Sequence, residues 1–134
     1  MLFRGKHLKN FYKLFIITSL IFSHQFLYAD APNWDCDGDG VLDNFNSYQN
    51  NGSITLAVFV DGENAVSEGD LFAAFVGDEQ RGAGNLSEVP FGPYSGTYQF
   101  LTMIYSNEAS GEELTFKFYD SDQDIIYDIS ETFT

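Results

Sequence analysis

The chain has 134 residues, 44% hydrophobic and 17% aromatic, with a formal charge of −14, which fits one small folded domain and excludes a disordered chain. Arg4, Lys6, Lys9 and Lys13 all precede Ala29, so Arg81 and Lys117 are the only cations beyond it, against all 20 acids. Such a body repels phosphate backbones and anionic lipid heads, which argues against nucleic acid and membrane surfaces as partners. His7 and His24 also lie in the early segment and Cys36 is the single cysteine, so the body lacks the ligands of a structural zinc site and the usual base of a nucleophilic triad.

Residues 1–29 read as a secretory signal peptide. A basic start precedes the apolar run Leu14–Phe22, which Ser23, His24 and Gln25 end, and cleavage is expected after Ala29. The run is short for a bilayer span of about 20 residues, which leaves a permanent anchor as the alternative. Export implies an oxidising compartment, where a lone Cys36 cannot form a disulfide within the chain. Whether it bridges two chains stays open; its place inside an acidic loop favours a spacer role. A small exported domain without disulfides needs a good core or a metal.

Residues 30–51 open the expected mature chain. Asp35–Asn46 reads DCDGDGVLDNFN, with carboxylates at loop positions one, three, five and nine and Gly40 at position six. Alternating acids set their oxygens on one side of a tight turn, the glycine permits the reversal, and the Val41 carbonyl at position seven completes a cage for a hard cation. The string resembles the calcium loops of dockerins and thrombospondin type 3 repeats. That resemblance covers about a tenth of the chain and implies a Ca2+ site with Asp35, Asp37, Asp39, Val41 and Asp43 as ligands. Asn46 stands at position twelve, where an EF-hand carries a bidentate glutamate, so weak affinity of about 10⁻⁴ to 10⁻³ M is expected. Val41, Leu42, Phe45 and Tyr48 recur at helical spacing and predict two turns of exiting helix, stopped at Asn51-Gly52.

Residues 52–134 read as strands: 53–60, ended by Asp61-Gly62; 71–76, with 80–84 returning as a hairpin across Gly77-Asp78; 97–106, apolar on both faces and so central; then 113–119 paired with 125–133 across the acidic turn 120–124. The expected fold is all-β, a small antiparallel Ig-like β-sandwich preceded by an EF-hand-like calcium loop and a short helix. From Gly52 onward the chain resembles a small β-sandwich module of bacterial secreted and surface proteins, a resemblance that transfers no catalytic residue. The chain ends within its last expected strand, which reads as part of a longer surface protein.

Other candidates are weaker. Asp120, Asp122, Asp124 and Asp128 repeat the one-three-five-nine spacing, but Ile125 replaces the glycine of a calcium loop, so a solvated hairpin tip is expected rather than a second cation site. Arg81 and Lys117 are expected to pair with carboxylates such as Asp70 or Glu68. Phe91 and Tyr94 in the Pro/Gly loop, with Trp34 and Tyr98, are either a sugar-stacking platform or core plugs. A hydrolase would rely on carboxylates alone, such as Glu112 and Glu113, and a sandwich of this size leaves little room for a substrate cleft. The sequence reading is therefore a non-enzymatic, calcium-stabilised structural or adhesive module, secreted or held at a bacterial surface; calcium and surface glycans or other surface proteins are its expected partners, and a carbohydrate-binding module built on Trp34, Phe91 and Tyr94 is the alternative.

Overall fold

The computed structural model describes residues 30–134, so the expected signal peptide lies outside the described residues. The fold is all-β. Its strands are β1 (Asn50–Leu56), β2 (Phe59–Val60), β3 (Glu63–Asn64), β4 (Leu71–Val76), β5 (Glu79–Glu88), β6 (Tyr98–Ser106), β7 (Leu114–Asp120) and β8 (Ile125–Phe133). Six of them form an antiparallel sheet in the order β1-β6-β5-β4-β7-β8, while β2 and β3 make a separate hairpin. Asp61 and Gly62 at the tip of that hairpin both have positive φ, 53° and 86°, the backbone that a two-residue turn between right-twisting strands requires.

One face of the six-stranded sheet carries the core. Phe72 and Ala74 from β4, Phe116 and Phe118 from β7 and Phe100 from β6 are buried together, with Ile54, Leu56, Tyr127 and Ile129 packed around them. These positions follow the two-residue period of strands, so one face of each is apolar. Val58 and Val66, on either side of the small hairpin, join the same cluster, and the Ala65 amide donates to the Val58 carbonyl at 2.9 Å.

The six strands form one continuous sheet joined through β5, and that sheet is strongly curled. On a flat sheet β6 and β7, three places apart in the order, would be separated by about 14 Å, yet the Phe100 and Phe118 rings meet edge to face at 6.3 Å. The sheet therefore folds over its phenylalanines, with Phe72 stacked on both Phe100 and Phe116. Small residues permit the bend. β5 pairs with β4 through Gln80, Gly82 and Ala83 and with β6 from Gly84 onward, and the β4 register shifts between Ala74 and Phe75. A Cβ on Gly84 would lie 2.9 Å from Phe100 Cδ1 and 3.0 Å from Phe72 Cβ, so any side chain there would drive the stacked rings apart.

The predicted exiting helix is also corrected. Among the described residues only Phe45–Ser47 is helical, a single 3-10 turn, and Asn44 before it makes no side-chain cap bond. The spacing of Leu42, Phe45 and Tyr48 instead fits a chain laid on the outer face of the sheet: Leu42 is buried, and the Phe45 and Tyr48 rings pack on Tyr105 of β6 at 5.7 and 6.4 Å. Packing overrides a weak local helix preference. Asn51-Gly52, read as a stop signal, lies inside β1, where Gly52 pairs with Ile104. Strand 71–76 and strand 125–133 have the expected bounds.

Candidate cation site on the acidic loop

Residues 34–48 cross the face of β4, β5 and β6 opposite the phenylalanine core. At one end the Trp34 ring meets Phe75 edge on at 6.1 Å, and Gln80 Nε2 donates to the Trp34 carbonyl at 2.6 Å. At the other end the Tyr48 hydroxyl donates to Glu79 Oε1 at 2.7 Å, and the Arg81 guanidinium sits 5.0 Å from the Tyr48 ring centroid, a cation–π distance. Between them Gly40 is pressed onto β5: a Cβ there would lie 2.5 Å from Asn85 Cβ.

This docking turns the opposite side of the loop to solvent, and there the aspartates gather. One carboxylate oxygen from each of Asp35, Asp37 and Asp39 lies within 4.8 Å of the others. Calcium–oxygen bonds of 2.3 to 2.6 Å let two ligands of one ion stand up to about 5 Å apart, so the triad is spaced to hold a cation of that kind, although exposed acidic groups are common without one. The loop is shaped by its own carboxylates. Asp35 accepts from the Gly38 amide at 2.8 Å and the Gly40 amide at 2.7 Å, and Asp39 accepts from the Val41 amide at 2.8 Å. Asp37 accepts a longer bond from the Asp39 amide, which lowers its pKa, but repulsion from the Asp39 charge leads a set of opposing effects that leave it raised above the ordinary carboxylate value.

The other expected ligands stand differently. Asp43 is outside the triad, and its Oδ2 accepts from the Cys36 amide at 3.4 Å. Asn46 lies in the 3-10 turn, and Val41 is half-buried beside Gly40. Cys36 is exposed and free; its thiol is raised above its ordinary pKa, first through its hydrogen bond with Asp43. Sequence reasoning missed Gln80, Asn85 and Tyr105 as the surface beneath the loop, because a strand written QRGAGN carries no apolar stripe to announce a second buried face.

The aromatic platform is not assembled as expected. Trp34 is held at the Gln80 end of β5, whereas Phe91 and Tyr94 follow its other end, eight residues or about 26 Å of strand away. Phe91 and Tyr94 are exposed, at 81% and 67%. Tyr94 and Tyr98 instead share a hollow of about 300 Å³ with Phe59.

The remaining charged candidates have structural partners. Arg81 is buried and forks onto Glu112, at 3.2 and 3.0 Å, with Glu79 at 3.4 Å. Lys117 pairs with Asp128, its neighbour across β7 and β8. The expected partner Asp70 is buried and accepts from Ser67 and Ser121 instead. Asp120 accepts from both the amide and the side chain of Gln123, and the acids of the 120–128 hairpin do not form a metal-sized cluster among the described residues.

Comparison with protein-family models, with curated proteins and with solved structures returns no match for this chain.

Proposed function

We propose that this protein is an exported, non-enzymatic structural or adhesive module whose acidic loop takes calcium and uses it to fasten the N-terminal segment to the sheet. The observation that carries this reading is the two-sided loop. Asp35, Asp37 and Asp39 converge on one side, and Gly40 lies against Asn85 on the other. Three carboxylates held this close repel one another when bare; a divalent cation removes that repulsion and stiffens the segment in its docked form. The dockerin-like and thrombospondin-like spacing supports the same ion. Residues 1–29 support export, and a body so rich in acids suits a calcium-rich extracellular setting, with surface proteins or glycans as partners.

The test is thermal unfolding of the mature chain with excess calcium and with chelator, beside the Asp35→Ala, Asp39→Ala double variant. At free calcium 100 times the dissociation constant, binding to the native state alone adds about 2.7 kcal/mol, large beside a small domain's total of about 5 to 15 kcal/mol. A melting temperature that rises with calcium in the wild type and not in the variant is the expected result; equal melting in both buffers refutes the clip.

A second reading, a carbohydrate-binding module, draws on the exposed aromatic rings of Phe59 and Tyr94 around their shared hollow. It requires retention on an insoluble polysaccharide that Tyr94→Ala abolishes, and Trp34 contributes nothing to it.

A further inference from the structure

The strand order leaves two edges. β1 pairs only with β6 and β8 only with β7, so among the described residues the outward amides and carbonyls of both strands lack a strand partner. The curl of the sheet turns these edges toward each other. Ile54 and Leu56 of β1 and Tyr127 and Ile129 of β8 line opposite sides of one groove of about 640 Å³, with Phe72 and Phe116 at its base. A second hollow of about 450 Å³ lies between the other ends of the same strands, lined by Gly52 and Phe133, and Ile54 borders both.

Such a groove has apolar walls and unpaired backbone along its two rims. Water satisfies the rims but not the walls, and an extended peptide satisfies both: its backbone continues the ladder and its alternate side chains drop into the groove. β1 has seven residues and β8 nine, room for a strand of about seven. Natural edges are commonly guarded by lysine or proline, and neither residue occurs in NNGSITL or IIYDISETF. Phe59 and Phe133 are instead exposed at 59% and 60%, at the mouths of the two hollows.

Charge selects the occupant. Asp61 and Glu131 border the larger hollow and Glu108 the smaller, beside Asp128 and Glu112, which Lys117 and Arg81 already hold, and among the described residues no lysine or arginine lines either one. A second copy of this acidic chain brings like charge to these carboxylates, which opposes pairing between copies. We propose that the groove between β1 and β8 receives an extended peptide segment of another protein, apolar at alternate positions and carrying lysine or arginine, which adds a strand to the sheet and closes it. β1 and β8 run in opposite directions, so a segment bridging both edges lies antiparallel to one and parallel to the other. This inference is independent of whether the acidic loop takes calcium.

The experiment pans a phage library of random dodecapeptides on the purified protein, then measures binding of the enriched peptide by fluorescence anisotropy and amide hydrogen exchange. Expected are sequences with alternating apolar residues and an excess of Lys and Arg, slowed exchange in residues 50–56 or 125–133, and binding weakened about tenfold or more by the exposed-rim variant Asp61→Asn, Glu131→Lys. A wild-type spectrum from that variant verifies its fold. The proposal is overturned by failure to enrich any sequence, by enriched sequences without this pattern, or by protection elsewhere. It is also overturned by sedimentation as a dimer that Phe133→Ser dissociates, which would make a second copy the occupant.

Discussion

Gly40 and Asn85 touch so closely that the glycine has no room for a side chain: an added Cβ would stand 2.5 Å from Asn85 Cβ and 2.8 Å from its Cα. Gly40 also has a φ of +76°, as Gly38 two residues earlier has +75°, but nothing lies within 4 Å of a Cβ at Gly38. The pair therefore separates backbone strain from loss of docking. Gly38→Ala should cost about 1 kcal/mol, the left-handed penalty alone, and Gly40→Ala about 2 to 4 kcal/mol, because overpacking against β5 is added. Urea unfolding of the two variants checks the difference, and equal costs would show that the contact contributes nothing.

Arg81 and Lys117 should differ in the same assay. Arg81 has a side chain only 9% exposed and holds Glu112, itself 23% exposed, through two bonds, so Arg81→Met leaves a largely buried carboxylate without its cation. A loss of about 3 to 5 kcal/mol is expected. Lys117 and Asp128 are 40% and 82% exposed, and Lys117→Met should change stability by less than about 1 kcal/mol.

Much of the sheet was legible in the sequence, and the reasons are local. Leu71–Val76 and Ile125–Phe133 are bounded by Gly77-Asp78 and by the acidic turn, signals read without tertiary context. The helix after the acidic loop failed because Leu42, Phe45 and Tyr48 answer to Tyr105 and the outer face of the sheet, a surface that exists only once β5 and β6 have paired. The curl through β5 was not legible for a related reason. The segment QRGAG reads as a returning strand, and the use of its glycines as the thin place where a sheet folds over Phe72 and Phe100 depends on rings far away in sequence. At the candidate cation site the spacing of Asp35, Asp37 and Asp39 was enough to place them together, whereas the separation of Trp34 from Tyr94 followed from the length of β5.

The curl itself can be challenged at Gly84. Gly84→Val forces branched carbons into the Phe72–Phe100 stack and should cost about 1 to 3 kcal/mol, with a changed near-ultraviolet circular dichroism spectrum from the displaced rings. Gly52→Val, on β1 with nothing within 4 Å, should leave the spectrum as in the wild type.

Asp37 gives the acidic loop a pH signature. Its carboxyl is raised in the folded, metal-free protein, with the Asp39 amide pulling down and the neighbouring Asp39 and Asp35 charges pushing up. A raised carboxylate binds its proton more tightly when folded, so its contribution to stability is present at low pH and is lost as pH rises through the range just above about 3.9. Chemical unfolding in chelator across that range should show a stability difference between wild type and Asp37→Asn that moves in favour of the variant as pH rises. Calcium should reverse the trend, because the ion binds the deprotonated carboxylate that the variant lacks, and identical pH profiles with chelator would remove Asp37 from the electrostatics of the loop.

Residues 34–48 are synthesised before every strand they lie on. Trp34 waits for Gln80, 46 positions later, and Tyr48 for Glu79, 31 positions later. The first part of the body to emerge is therefore among the last to settle, closing long loops after β5 and β6 have come together. Refolding should proceed in that order, with the phenylalanine core formed before the Trp34 fluorescence reaches its native value.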